Sequence, residues 1–283
     1  MLLDLRGFWP VRRLGALKGS TAPAARVVLD GTEGLGISAH SFLYQATAAA
    51  PDGGNLPAYW SGSMFMHYAG FSSAAERWTA NGADRTGAYS GALIITEIGD
   101  LSTGLAEPNS AEGAVSYQAF FNFAVTARTK GCKLMLIYPP HSPEGADLDQ
   151  DTLRKLWRLV LWLRARPETE GLGIFLLPAP LPVRAAILRA APASIYADGL
   201  HLRGAVYPPP ANRTNEALAQ MIRMALTGAR VEDDPGWDAE MLALVESAWQ
   251  LVRDHACTGL GGAVQIEPWP ISGDPLPDPV MPA

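Results

Sequence analysis

The chain has 283 residues, enough for one large domain or two small ones, and 48% of them are hydrophobic against 18% charged, which excludes a disordered polyelectrolyte. A formal net charge of -6 argues against nucleic acid as a partner, because phosphate binding calls for a basic face. Two cysteines are too few for a disulfide framework, and Cys132, at the mouth of an apolar run, reads as a buried thiol.

No stretch has the length and apolarity of a membrane span. The opening M-L-L-D-L-R-G-F-W-P-V-R-R-L-G lacks the continuous apolar core of a signal peptide. The expectation is an N-terminal arm over 1–25 on a protein that is cytoplasmic by default. In chain order, 26–29 (R-V-V-L) reads as the first strand. The stretch 31–60 is rich in Gly, Ala and Pro, with a helix expected over 40–50 and a second strand near 56–59. Strands follow at 91–95 (G-A-L-I-I), 133–138 (K-L-M-L-I-Y) and 173–177 (G-I-F-L-L). Between them lie helices at 112–129 and 151–166, the latter with an acidic start, basic residues later and Pro167 as a stop. Further helices are expected at 216–226 and 239–253, then a Gly/Pro-rich tail from 259. Strands alternating with helices, each strand continuously apolar, imply an α/β fold whose mostly parallel sheet is covered on both faces. The organisation expected is an arm (1–25), a main domain (26–230), and a C-terminal helix with its extension (231–283).

Three local features carry chemistry. Ser41, in S-A-H-S-F, follows a strand and opens a helix, which sets its Oγ at the carboxyl end of the sheet beside unpaired N–H groups able to face an oxyanion. Far downstream, D-G-L-H-L (198–202) puts a carboxylate and an imidazole three apart on one turn. Serine needs a neighbouring base to take its proton. His201 suits that role, with Asp198 fixing its tautomer and stabilising the imidazolium. Gly62, in W-S-G-S, suits a turn where a backbone N–H approaches a substrate oxygen.

A-H-S-F (39–42) resembles the first block of the SGNH (GDSL-like) hydrolases, and D-G-L-H-L resembles their last, D-x-x-H, with R-G-A-V-Y (203–207) as the usual continuation. The resemblance covers about 26–228 and is to a divergent branch. It implies a flavodoxin-like three-layer α/β/α sandwich and cleavage of a small acyl ester through an acyl-enzyme. Ser41, His201 and Asp198 would form the triad, and Gly62 would be an oxyanion donor. The substrate it implies is a small-molecule ester, with an acylated sugar as one candidate, and neither cofactor nor metal is implied. Two positions depart from the pattern. Ala39 stands where the family has glycine, and T-E-I-G-D (96–100) replaces its G-x-N-D. Thr96 can donate a hydrogen bond and an ionised Glu97 cannot, with Asn109 as a further candidate; the third oxyanion donor is therefore open between these positions.

Other readings compete. Ser41 can be a helix cap, and Ser38 is a rival nucleophile. His67 and His141 can be packed histidines or substrate contacts. The helix at 151–166 can pack on the sheet or touch a membrane surface. G-L-G-I-S-A (34–39) fits G-x-G-x-x-A and so a nucleotide-binding turn. The same triad also suits acyl transfer, and the same fold a non-catalytic binding protein. The pattern sets no oligomeric state.

Overall fold

The computed structural model describes residues 26–49, 53–80, 89–97, 111–144, 149–189, 195–203, 213–262 and 278–281. The expected arm at 1–25, Asn109 and most of the Gly/Pro-rich tail lie outside them.

Five strands form one parallel sheet in the order β2-β1-β3-β4-β5. They are β1 (Leu35–Ala39), β2 (Met64–Tyr68), β3 (Ala92–Thr96), β4 (Leu134–Tyr138) and β5 (Gly173–Leu176). The helices are α1 (Ser41–Thr47), α2 (Leu56–Tyr59), α3 (Ala74–Ala80), α4 (Ala111–Thr129), α5 (Asp149–Arg164), α6 (Pro180–Arg189), α7 (Thr214–Thr227) and α8 (Ala239–Asp254). Because strand side chains alternate between faces, the sheet divides two cores. Ile37, Ile94, Leu136 and Phe175 point to one side, packed by α1, α2, α6, α7 and α8. Leu93, Ile95, Met135, Ile137 and Ile174 point to the other, packed by α3, α4 and α5. The result is a three-layer α/β arrangement.

Two strands expected from sequence are corrected. Residues 26–29 are not a strand; the Leu29 N–H bonds the Leu226 carbonyl at 2.8 Å, so this segment lies along the end of α7. The first strand is L-G-I-S-A, whose glycine has a packing reason: a Cβ on Gly36 would stand 2.6 Å from the Tyr89 ring. The G-x-G-x-x-A glycines therefore stand just before β1 (Gly34) and at its second residue (Gly36), not in the strand–helix turn where a pyrophosphate would sit. Residues 56–59 form a helix turn with Pro57 in its first positions, and the second strand is M-F-M-H-Y, at the sheet edge and partly exposed.

Helix α5 buries Leu153, Leu156, Leu159, Val160 and Leu163 in the second core, the ordinary alternative to a membrane-surface role. Among the described residues no helix is long and apolar enough to cross a membrane. Helix α8 is no appendage: Met241, Leu244, Val245 and Val252 complete the first core. At the far end of the chain Val280 exchanges two hydrogen bonds with the Gln118 side chain on α4. Both cysteines are buried and free, and burial raises both thiols, Cys132 to about 12.

Candidate active site

Strand order 2-1-3-4-5 places a switch point between β1 and β3, where chain connections diverge and leave a crevice at the carboxyl ends. Ser41 stands there as the first residue of α1. The preceding His40 caps the helix, its Nδ1 accepting the Phe42 N–H at 3.2 Å. An Nδ1 that accepts leaves the hydrogen on Nε2, which meets the Thr96 hydroxyl at 3.3 Å. Burial, with the Arg77 charge adding to it, pushes His40 down to about 3, so the ring is neutral near pH 7.

The floor of the crevice is knitted by two fully buried side chains, Arg77 and Glu97. Arg77 on α3 donates to the Ser38 hydroxyl at 2.9 Å, to the Ser72 carbonyl at 2.5 Å and to the Thr96 carbonyl. It thereby joins β1, β3 and the turn after β2. Glu97 accepts the Ala74 N–H at 2.8 Å and the Ser116 hydroxyl at 2.9 Å, which ties the start of α3 to α4.

Asp198 and His201 form a tight turn around Gly199, whose φ of 78° suits glycine. Asp198 Oδ1 accepts the Leu200 and His201 N–H groups at 3.1 and 2.7 Å, and Oδ2 meets His201 Nδ1 at 2.8 Å. That last bond does most to draw the Asp198 carboxyl down to about 2. It assigns the hydrogen to Nδ1 and leaves Nε2 as the basic atom. The His201 ring stands edge-on to Phe42 (centroids 5.8 Å), the residue after Ser41, and to Phe71 (6.4 Å). Phe71 is 70% exposed and holds a left-handed backbone, φ 52°. Ser41 and His201 are thus in one crevice without a hydrogen bond between them. Serine–histidine contacts are often loose before substrate binds.

The structure turns Gly62, Thr96 and Glu97 away from an oxyanion or substrate-binding place. Gly62 lies before β2, at the amino end of the sheet, a strand length of roughly 16 Å from Ser41 at about 3.3 Å per residue. Its N–H is spent on the Gly31 carbonyl at 2.9 Å. Thr96 is fully buried, with its hydroxyl held between His40 Nε2 and the Glu97 carbonyl. Glu97 is a scaffold carboxylate facing α3 and α4 rather than the crevice. The glycine at the carboxyl end of β2 is Gly70, which the sequence reading missed. Neither its N–H nor that of Ser41 is spent on a hydrogen bond to a described residue. A sequence signal for it exists: Ser73 and Glu76 form a reciprocal capping box that starts α3 and so ends the β2 connection near residue 70.

The rival residues resolve similarly. Ser38 is buried inside β1 and accepts from Arg77, so it is no nucleophile. His67 lies on edge strand β2. His141, just past β4, is buried and meets the Leu200 carbonyl. Tyr44 stacks on Tyr68 at the carboxyl end (4.3 Å), whereas Tyr59 and Trp60 line a cleft of about 490 Å³ at the opposite end with Arg223. Among the described residues no three His, Cys, Asp or Glu side chains group as metal ligands would.

Comparison of the chain with protein-family models, curated proteins and solved structures finds no match.

Proposed function

We propose that this protein is a serine esterase of the SGNH type acting on a small acyl ester. Ser41 Oγ attacks the ester carbonyl while His201 Nε2 takes its proton. The same proton then goes to the leaving alcohol, which leaves the acyl group on Ser41 Oγ; water, deprotonated by His201, attacks that ester, and His201 returns the proton to Ser41 Oγ as the acid departs. Asp198 holds the imidazole in the required tautomer and stabilises its charged form. The Ser41 and Gly70 N–H groups serve the tetrahedral oxyanion. One observation carries this reading: the 2.8 Å Asp198–His201 bond leaves a free imidazole nitrogen in the switch-point crevice, against the residue that follows a serine.

The Asp198 side chain is 56% exposed and that of His201 19%, so solvent reaches the base. That favours hydrolysis over transfer to another alcohol, which depends on excluding water. The reading is tested by p-nitrophenyl acetate hydrolysis with purified wild type, Ser41→Ala and His201→Ala, folding checked by circular dichroism. Each substitution is expected to lower kcat/KM by at least about 10³-fold. Equal rates in three folded proteins would overturn the assignment.

A further inference from the structure

His141 is 2% exposed, lies 59 residues from its hydrogen-bond partner, and is not part of the triad. Its Nε2 meets the Leu200 carbonyl at 3.0 Å. A carbonyl only accepts, so Nε2 carries the hydrogen and His141 is the donor. Nδ1 is buried without a hydrogen-bond partner among the described residues, where the polar chemistry of the ring is spent on that one carbonyl. The ring also stacks on Phe42 at 4.1 Å between centroids and leans on Tyr196 at 6.2 Å. It therefore touches the neighbour of the nucleophile and the neighbour of the base together.

The turn needs an external hold. Its internal bonds, from Asp198 Oδ1 to two N–H groups, set its shape but not its distance from Ser41. Ala197 and Asp198 are exposed and Gly199 is half-buried, so packing does little for the tip. The loop after β4 supplies the hold from one side. The Glu144 N–H bonds the Gly199 carbonyl at 2.9 Å, and Tyr196, at the base of the turn, donates to the Ser142 carbonyl at 2.8 Å. Of these ties His141 is the one that also reaches the Ser41 helix. A buried N–H to C=O bond is stiffer than one in water, and displacement of a catalytic group by about 1 Å can cost on the order of a hundredfold in rate.

We infer that His141 is a positioning residue: its Nε2–H, fixed on the Leu200 carbonyl, holds the Asp198–His201 turn in register with Ser41. The inference rests on the reading of His201 as the base. Two substitutions separate its parts. His141→Phe keeps an aromatic ring against Phe42 and Tyr196 but removes the donor. His141→Gln loses the ring but carries an amide N–H at about the reach of Nε2. Both are measured as the full chain, with thermal unfolding monitored in parallel.

The expected result is a kcat on p-nitrophenyl acetate about 10- to 100-fold lower in His141→Phe, with KM little changed and recovery to within about 3-fold of wild type in His141→Gln. An activity-free readout accompanies it: imidazole nitrogen NMR in alkaline buffer, with the His201 signals assigned by their loss in His201→Ala. His201 is expected to be in the Nδ1–H form in wild type and His141→Gln, and a tautomer mixture in His141→Phe. An unchanged His201 tautomer and kcat in folded His141→Phe would overturn the positioning role while leaving the esterase reading intact. A His141→Gln protein as impaired as His141→Phe would also overturn it, since the donor would not be what matters. No hydrolysis by wild type, with tautomers still following the donor at 141, would sink the esterase reading and sustain the positioning role.

Discussion

At the amino end of the sheet the loops are joined mostly by backbone, with the Trp60 and Ser61 side chains adding donors to the Glu33 and Gly31 carbonyls. Ser61 and Gly62 both donate to the Gly31 carbonyl, Leu35 to Ser63, Gly91 to Gly34, and Gly173 to Lys133. At the carboxyl end backbone ties such as Glu144 to Gly199 are joined by buried side-chain ties: Arg77 across β1 and β3, Glu97 between α3 and α4, His40 to Thr96, and His141 to the Asp198–His201 turn. Backbone ties ask little of residue type beyond room for the main chain. Side-chain ties ask for one particular chemistry at each position, and they hold polar groups dry. The end that would bind substrate is thus the end where single substitutions should matter most.

The sharpest way to break this contrast is Arg77→Leu. It removes a buried cation and leaves the buried Ser38, Ser72 and Thr96 oxygens without their donor, for which a cost of about 3–5 kcal/mol is expected in urea unfolding. A cost under about 1 kcal/mol would mean that backbone holds the carboxyl end as well. The next effect is one of pH. His40 and His141 are held at about 3 and about 4, below the 6.5 of a free histidine. Their neutral burial is therefore harmless above pH 6.5. As the pH falls below that, the unfolded chain binds protons that the folded chain refuses, and stability is lost down to pH 3–4. Each histidine should cost on the order of 2 kcal/mol by pH 5. Unfolding free energies measured across this window should fall steeply, and the double variant His40→Gln/His141→Gln should flatten the slope.

The smallest effect separates two glycines. A Cβ on Gly62 would stand 2.1 Å from the Glu33 carbonyl oxygen, so Gly62→Ala should cost about 1–3 kcal/mol of stability and leave kcat unchanged. Gly70 has more room, its closest such contact being 3.2 Å to the Tyr68 hydroxyl. Gly70→Ala, which keeps the N–H, should be close to wild type. Gly70→Pro, which removes it, should lose about a hundredfold in kcat while remaining folded. Equal rates for the two Gly70 variants would remove Gly70 from the oxyanion site.

The glycine exchange also shows how far the sequence could be read. β3, β4 and β5 were legible to within a residue or so at each end because each is a buried apolar run, which a central parallel strand requires. α4, α7 and α8 came within a few residues for the same kind of reason, each presenting a broad apolar surface. The first two strands were misplaced. Gly36 hides β1, since it contributes no β-branched signal, while R-V-V-L imitates a strand and lies instead along α7. β2 (M-F-M-H-Y) is a partly exposed edge strand with no Val, Ile or Thr, and only Phe65 and Tyr68 favour a strand. Misplacing β2 by eight positions moved the expected glycine to the wrong end of the sheet. The Asp198–His201 pairing was legible because it is local. The hold of His141 on Leu200 was not, because no pattern in a single chain links residues so far apart.

The buried thiols have a practical consequence for watching this crevice work. Cys132 and Cys257 are the only cysteines in the chain, and both are enclosed, with burial keeping them in the protonated, unreactive form. A cysteine introduced at exposed Phe71 would be the single thiol open to a maleimide dye. One fluorophore per molecule, beside His201, would then report ligand arrival by its quenching without any need to empty the native cysteines first.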